Sequence, residues 1–233
     1  MDWVRNYGKG RVYTTMLGHT WKNEPNPNLE DLYFQALLAR GVEWAATGKV
    51  TLPADLGWKP LFNGKNLNGW EPMGNPANSH WVVKDGLLVN EDHGANLKST
   101  RKFDDFKLHF EVLCPDHANS GFYLRGRYEV QLEYEPLSSN PPERRIGSIY
   151  GRIAPKEELP RTPGQWETFD VTFVGRTVTV VRNGKTTIDH QEIEGITGGA
   201  LDANEAEPGP FYIQGDHTGG LKFRNITISL PRK

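Results

Sequence analysis

From about residue 58 onward, apolar and polar residues alternate with a period of two, and Gly, Asn, Asp or Pro interrupts the pattern every few residues. This patterning predicts strands at 81–89, 106–114, 121–133, 168–174, 177–182, 186–188, 210–214 and 221–229. Asn183-Gly184 sits between two threonine-rich runs and Lys84-Asp85-Gly86 between two apolar ones, so both read as hairpin turns. Serial hairpins imply antiparallel pairing. The expected fold is therefore all-β, a two-sheet antiparallel β-sandwich of the jelly-roll or lectin kind.

The first fifty residues read differently. A short strand at 11–16 is followed by a Pro/Asn-rich stretch, then by Asn28 and Asp31 spaced as a helix cap and its partner. Leu29, Leu32, Tyr33, Ala36, Leu37 and Trp44 recur at helical spacing, with Phe34, Leu38 and Val42 on the opposite side, and Gly48 offers a stop. One N-terminal helix at 29–46 follows, needing cover on both sides. The chain divides into residues 1–50, a linker at 51–57 and the sandwich at 58–233.

The segment 119–133 carries the densest polar chemistry. Read as one strand, it sends Leu124, Tyr128, Val130 and Leu132 to the core and Tyr123, Arg125, Arg127, Glu129, Gln131 and Glu133 to the other face. Charges so concentrated on one face suggest an open binding groove, where the two arginines would hold Glu129 ionised. Tyr150, Trp166, Gln214, Asp216 and His217 are further candidates for the same groove, Trp166 as a sugar-stacking platform.

Charge and composition narrow the partners. Lys+Arg 27 against Asp+Glu 29 gives a net charge of -2, which points away from nucleic acid and anionic membranes toward neutral ligands. Cys114 is the only cysteine, so no internal disulfide framework is available. No run is apolar enough for a membrane span, and the first residues lack a signal-peptide core. Serine-hydrolase elbows, phosphate loops and His-Glu-x-x-His helices are absent. No cofactor is expected; Asp116, His117 and Asn119 could serve a hard cation but equally make an ordinary turn, so metal use stays open.

Four motifs occur in order: Leu61-Phe62-Asn63-Gly64-Lys65-Asn66-Leu67-Asn68-Gly69-Trp70, Trp81-Val82-Val83-Lys84-Asp85-Gly86-Leu87-Leu88-Val89, Asn119-Ser120-Gly121 with Arg125-Gly126-Arg127-Tyr128-Glu129-Val130-Gln131, and Phe223-Arg224-Asn225-Ile226. They resemble the 3-keto-disaccharide hydrolase domain family over roughly residues 58–230. The resemblance implies a concanavalin-A-like jelly roll of the lectin and glucanase type, acting on glycosides that a separate sugar 3-oxidoreductase has oxidised. It also implies an exported bacterial protein. Where family members tend to read Leu-Gln-x-His, this chain has Ile213-Gln214-Gly215-Asp216-His217, one residue longer. Residues 1–50, through Tyr7-Gly8-Lys9-Gly10-Arg11-Val12-Tyr13, Leu17-Gly18-His19 and Gly41-Val42-Glu43-Trp44-Ala45-Ala46, resemble the C-terminal end of a ThuA-like, trehalose-utilisation domain.

A ketone at C3 acidifies the C2 hydrogen, so a base can remove it and the resulting enolate can expel the C1 oxygen. The candidates are Glu129 or His217 as base, Tyr150 or His217 as acid, and Arg125 and Arg127 as clamps on the enolate or hydroxyls. Gln131, Gln214, Asp216 and Trp166 would bind the sugar. Two alternatives share the fold. A two-carboxylate glycosidase would need Glu129 and Glu133 within ~9.5 Å, whereas in a regular strand they are about 13 Å apart. A noncatalytic carbohydrate-binding module would more often present aromatic and amide groups than an Arg-Arg-Glu cluster.

Overall fold

A computed structural model describes residues 2–17, 32–52 and 57–231. The chain forms two compact units, Met1–Lys59 and Pro60–Lys233.

In the first unit, β1 (Asp2–Tyr7) and β2 (Gly10–Thr15) form an antiparallel hairpin, and α1 spans Leu32–Thr47. The strand expected at 11–16 is thus the second arm of a hairpin. Asn28 and Asp31, expected to cap the helix, lie outside the described residues. Arg11 donates to the carbonyls of Trp44 (3.1 Å), Ala45 (3.2 Å) and Ala46 (2.8 Å), placing a cation on the carbonyl end of α1. Gly48, at φ +77°, donates to Trp44 O and ends the helix. The ring of Tyr13 on β2 lies where a Cβ on Gly41 would come within 2.3 Å, so only glycine lets strand and helix approach this closely. The hairpin therefore supplies cover for one side of α1, with Phe34 and Ala36 buried.

After β3 (Trp58–Pro60), the second unit contains β4 (Trp70–Pro72), β5 (Trp81–Lys84), β6 (Leu87–Asn90), β7 (Leu97–Phe103), β8 (Phe106–Leu113), β9 (Asn119–Leu124) and β10 (Tyr128–Glu133). It continues with β11 (Trp166–Val174), β12 (Thr177–Arg182), β13 (Lys185–Glu192), β14 (Gly209–Ile213) and β15 (Lys222–Ser229). One sheet runs β10-β9-β14-β7-β4 and the other β13-β12-β11-β8-β15-β6-β5, with every pair antiparallel. Late strands β14 and β15 insert between earlier ones, which makes this a jelly-roll sandwich rather than a meander. The expected strand at 121–133 proves to be two strands and a turn, while 81–89 divides at the hairpin turn read at Lys84-Asp85-Gly86. β4 and β7 were not foreseen, because the charges in Leu97-Lys98-Ser99-Thr100-Arg101-Lys102-Phe103 hide its inward positions.

The seam between the sheets is aromatic. Phe110 of β8 stacks on Phe122 of β9 at 4.5 Å and on Phe169 of β11 at 5.0 Å, while Phe106 meets Phe211 of β14 edge-on at 4.7 Å. At the rim of this core, Arg182 and Glu167, 2% and 1% exposed, form an ion pair. Tyr134 donates to Glu167 and accepts from Arg182 Nη2 at 3.1 Å. A buried charge left alone is costly, so Arg182→Met should destabilise the sandwich by about 3–5 kcal/mol. Adding Glu167→Gln should restore part of the loss; denaturant unfolding of the two variants measures both effects.

Candidate active site

The polar face of the first sheet is built by the β9–β10 hairpin. Tyr123 pairs with Glu129, Phe122 with Val130 and Gly121 with Gln131. Leu124, Tyr128, Val130 and Leu132 face the core, and Tyr123, Glu129, Gln131 and Glu133 lie on the opposite face, as alternation requires. The arginines depart from the expectation. The chain turns at Arg125 and Gly126, at φ 52° and 69°, so neither Arg125 nor Arg127 stands on the strand face beside Glu129. Arg125 donates to Gly175 O (3.0 Å), Glu205 O and Glu207 O (2.7 Å), and Arg127 donates to Glu207 O (2.8 Å) and pairs with Asp202 at 2.7 Å. Both are 2% exposed and bond the carbonyls of Glu205 and Glu207; they hold a loop in place of a substrate.

Glu129 sits at the centre of a closed hydrogen-bonded cluster. Tyr123 Oη lies 2.7 Å from Glu129 Oε2, as its donor, and 2.6 Å from Gly198 O. Gln214 Nε2 donates to Tyr123 Oη at 3.1 Å. The Gln131 amide, with its nitrogen turned to the surrounding acceptors, donates to Glu129 Oε1 at 2.9 Å and to Ser120 O at 3.2 Å. Tyr212 stacks on Tyr123 with ring centres 3.9 Å apart and donates to Gly199 O. Gly121 makes the cluster possible, since a Cβ there would lie 2.1 Å from Glu129 Oε1. The face is roofed, contrary to the open groove expected: Thr197 N and Oγ1 donate to Arg127 O, and Thr197 Oγ1 accepts from Glu129 N. Glu129 is 3% exposed.

The strand end after β14 brings in the remaining polar groups. His217 Nδ1 lies 3.1 Å from Asp216 Oδ1, and Asn96 Nδ2 donates to Asp216 Oδ2 at 3.2 Å. Gln214 is buried and its Oε1 has no partner. Tyr150 reaches the cluster through its backbone, donating to Glu129 O at 3.0 Å, while its ring lies 5.5 Å from the Arg144 guanidinium. Trp166 is elsewhere. It begins β11 in the other sheet, where Arg224 stacks over its ring at 4.1 Å, so the expected sugar platform is separated from Glu129 by the core. Glu133 accepts from the backbone of Glu135 (2.6 Å) and Ile146 (3.1 Å), a structural use of its carboxylate. Asp116 and His117 stand exposed in a turn, and no group of three or more His, Cys, Asp or Glu among the described residues is arranged to hold a metal. Tyr212 could have been found by carrying period two back from Gln214; Asn96 left no signal.

Residues 57–229 match the family described as 3-keto-alpha-glucoside-1,2-lyase-like domain. The chain belongs to this family. A solved protein of Parabacteroides distasonis, named as a candidate glycosyl hydrolase, is 30% identical over 75% of this chain and 84% of its own, with a TM-score of 0.62. Two others from the same organism and similarly named are 20% and 24% identical, over 76% and 74% of this chain and 94% and 99% of theirs, with TM-scores of 0.60 and 0.55, and share the fold. No curated relative matches. Residues 1–56 lie outside the family match.

In this lyase-like domain the expected ionised Glu129 is also corrected. Burial lifts its pKa from 4.5 to about 8, partly offset by the hydrogen bond from Tyr123, and the nearby charge of Asp216 pushes it further up. The guanidinium groups that were to lower it face the loop. At neutral pH Glu129 is therefore mostly protonated, an acid in the resting site. Because the folded pKa exceeds the unfolded one, Glu129 favours the fold fully below about pH 4.5 and loses this contribution as pH rises to about 8. Stability should fall across that window by no more than about 1.4 kcal/mol per pH unit from this group. Glu129→Gln should flatten the fall, as read by denaturant midpoints at pH 5 and pH 8.5.

Proposed function

We propose that the domain cleaves glycosides oxidised at C3, by removing the C2 proton and expelling the C1 oxygen. The observation that carries this is Glu129, buried beneath the 197–199 roof with its pKa raised by burial, on the same sheet as the strand end where Asp216 orients the His217 imidazole. Family membership and the glycosyl-hydrolase names of its relatives support a carbohydrate-acting role. Direct two-carboxylate hydrolysis finds less support, since Glu133 is tied to two backbone N–H groups.

In this reading His217, held through Nδ1 by Asp216, presents Nε2 as the base for the C2 proton. Asp216 steadies the imidazolium that forms, and Asn96 fixes Asp216. The C–H electron pair becomes the enolate, whose collapse breaks the C1–O bond while Glu129 gives its proton to the departing oxygen. Tyr123 and Gln131 hold the Glu129 carboxyl in place. The roof of residues 197–199 keeps bulk water from the enone; later addition of water would complete a hydrolysis. A reaction that oxidises a sugar hydroxyl to the ketone must supply the substrate.

The purified protein should cleave a 3-keto-glucoside and leave its unoxidised parent intact, with a slower reaction when C2 carries deuterium. Cleavage of both parent and ketone at similar rates would favour ordinary glycosidase chemistry, and binding without cleavage would favour a carbohydrate-binding module. Glu129→Gln and His217→Ala should each lower kcat by about 10²–10⁴-fold with little change in sugar binding. The alkaline limb of the wild-type pH profile should fall near pH 8 as Glu129 ionises and vanish in Glu129→Gln.

A further inference from the structure

Two acceptors compete for one proton beneath the roof. Tyr123 Oη lies 2.6 Å from Gly198 O and 2.7 Å from Glu129 Oε2, and it accepts from Gln214 Nε2 at 3.1 Å. A phenol has one proton to give and two lone pairs with which to accept. Tyr123 can therefore donate to the roof carbonyl or to Glu129, and not to both. With Glu129 protonated every group is satisfied: the carboxyl O–H donates to Tyr123, Tyr123 donates to Gly198 O, and Glu129 Oε1 accepts from Gln131 at 2.9 Å. With Glu129 ionised, Tyr123 must serve it as donor, and Gly198 O loses its partner. Thr197 Oγ1 does not take over, being 3.4 Å from Gly198 O and 3.0 Å from Arg127 O, to which it donates.

The neighbouring groups leave the choice to Glu129. Gly199 allows the close approach of the roof, since a Cβ there would lie 2.5 Å from Tyr123 Oη. Tyr212, stacked on Tyr123, gives its own proton to Gly199 O. Burial pushes both phenols up, so neither ionises before the carboxyl. The other polar groups around Glu129 and Tyr123 are the neutral amides of Gln131 and Gln214 and the charge of Asp216, which is paired with His217 and favours a protonated carboxyl. We propose that Tyr123 is a positioning residue that turns its one O–H between Gly198 and Glu129, so that the roof closes over the protonated carboxyl and is released by the ionised one. Its bearing on catalysis rests on the reading of Glu129 as the acid. Once the Glu129 proton has gone to the departing oxygen, Tyr123 turns to the carboxylate and the roof is freed for the product to leave.

Amide hydrogen exchange on the full chain, with no sugar present, tests the coupling. Thr197 N and Leu201 N tie the roof to Arg127 O (3.0 Å) and Gly126 O (2.8 Å), so their protection, corrected for the intrinsic effect of pH on exchange, reports roof closure. The closed roof holds Glu129 at a raised pKa, so protection should fall by about tenfold or more between about pH 6 and about pH 9 and level off above about 8. The roof amides should exchange well before those of β11 and β12, because the roof opens locally. Glu129→Gln places a permanent N–H donor where the protonated carboxyl has its O–H, and its roof should stay protected at both pH values. Tyr123→Phe removes the shared hydroxyl, and its roof should be weakly protected at both. Wild-type protection that does not change with pH, a loss that persists in either variant, or roof amides protected equally with β11 and β12 overturns the proposal. If Tyr123→Phe does not fold, the comparison of wild type with Glu129→Gln decides alone. Absence of wild-type cleavage would count against the proposed reaction, and exchange would still judge the coupling.

Discussion

A guanidinium taken out of water must be met by acceptors, and the way Arg125 and Arg127 are met organises the site of this domain. Both emerge from the turn between β9 and β10, and both are spent on the backbone of residues 205–207, on Gly175 and on Asp202. The turn that carries the arginines thereby fixes the far end of the roofing loop. Its near end is fixed by Thr197 on the carbonyl of Arg127 and by Gly198 and Gly199 on the hydroxyls of Tyr123 and Tyr212. Held at both ends, the loop closes the polar face over Glu129, and the burial that results sets the protonation of the carboxyl beneath it.

Much of the sandwich was legible because a half-buried strand writes its pleat into the sequence. β8, β11, β12, β14 and β15 were read within a few residues, as were the turns at Asp85-Gly86 and Asn183-Gly184. β7 was not, because a strand with Lys98, Thr100 and Lys102 on one face and the exposed Arg101 on the other has too few apolar residues to show alternation. The β9–β10 turn was missed for a different reason. Arg125 and Gly126 adopt positive φ, and an arginine there carries none of the turn signal of Asn or Asp. A three-residue connection also preserves parity, so Leu124 and Tyr128 still face the core and the error stayed invisible in the period-two pattern. Trp166 faces away from Glu129 because which sheet a strand joins depends on long-range pairing, which spacing along the chain does not encode.

The same turn decides the chemistry of Glu129. A guanidinium beside a carboxylate lowers its pKa by about 1–3 units, whereas full burial without a partner raises it by up to about 3–5. With the arginines on the strand face the first effect would have won, leaving an ionised base; with them committed to the loop the second wins and leaves an acid. The sequence Arg-x-Arg-x-Glu is compatible with either outcome. The choice follows from two backbone angles at residues 125 and 126, and it leaves a buried carboxyl at Glu129 and, at the strand end after β14, an exposed His217 paired with Asp216. Carboxyl and imidazole thus sit in environments of opposite kind, one roofed and one open. In the proposed reaction the roofed carboxyl delivers a proton at the C1 oxygen and the open imidazole takes the one at C2.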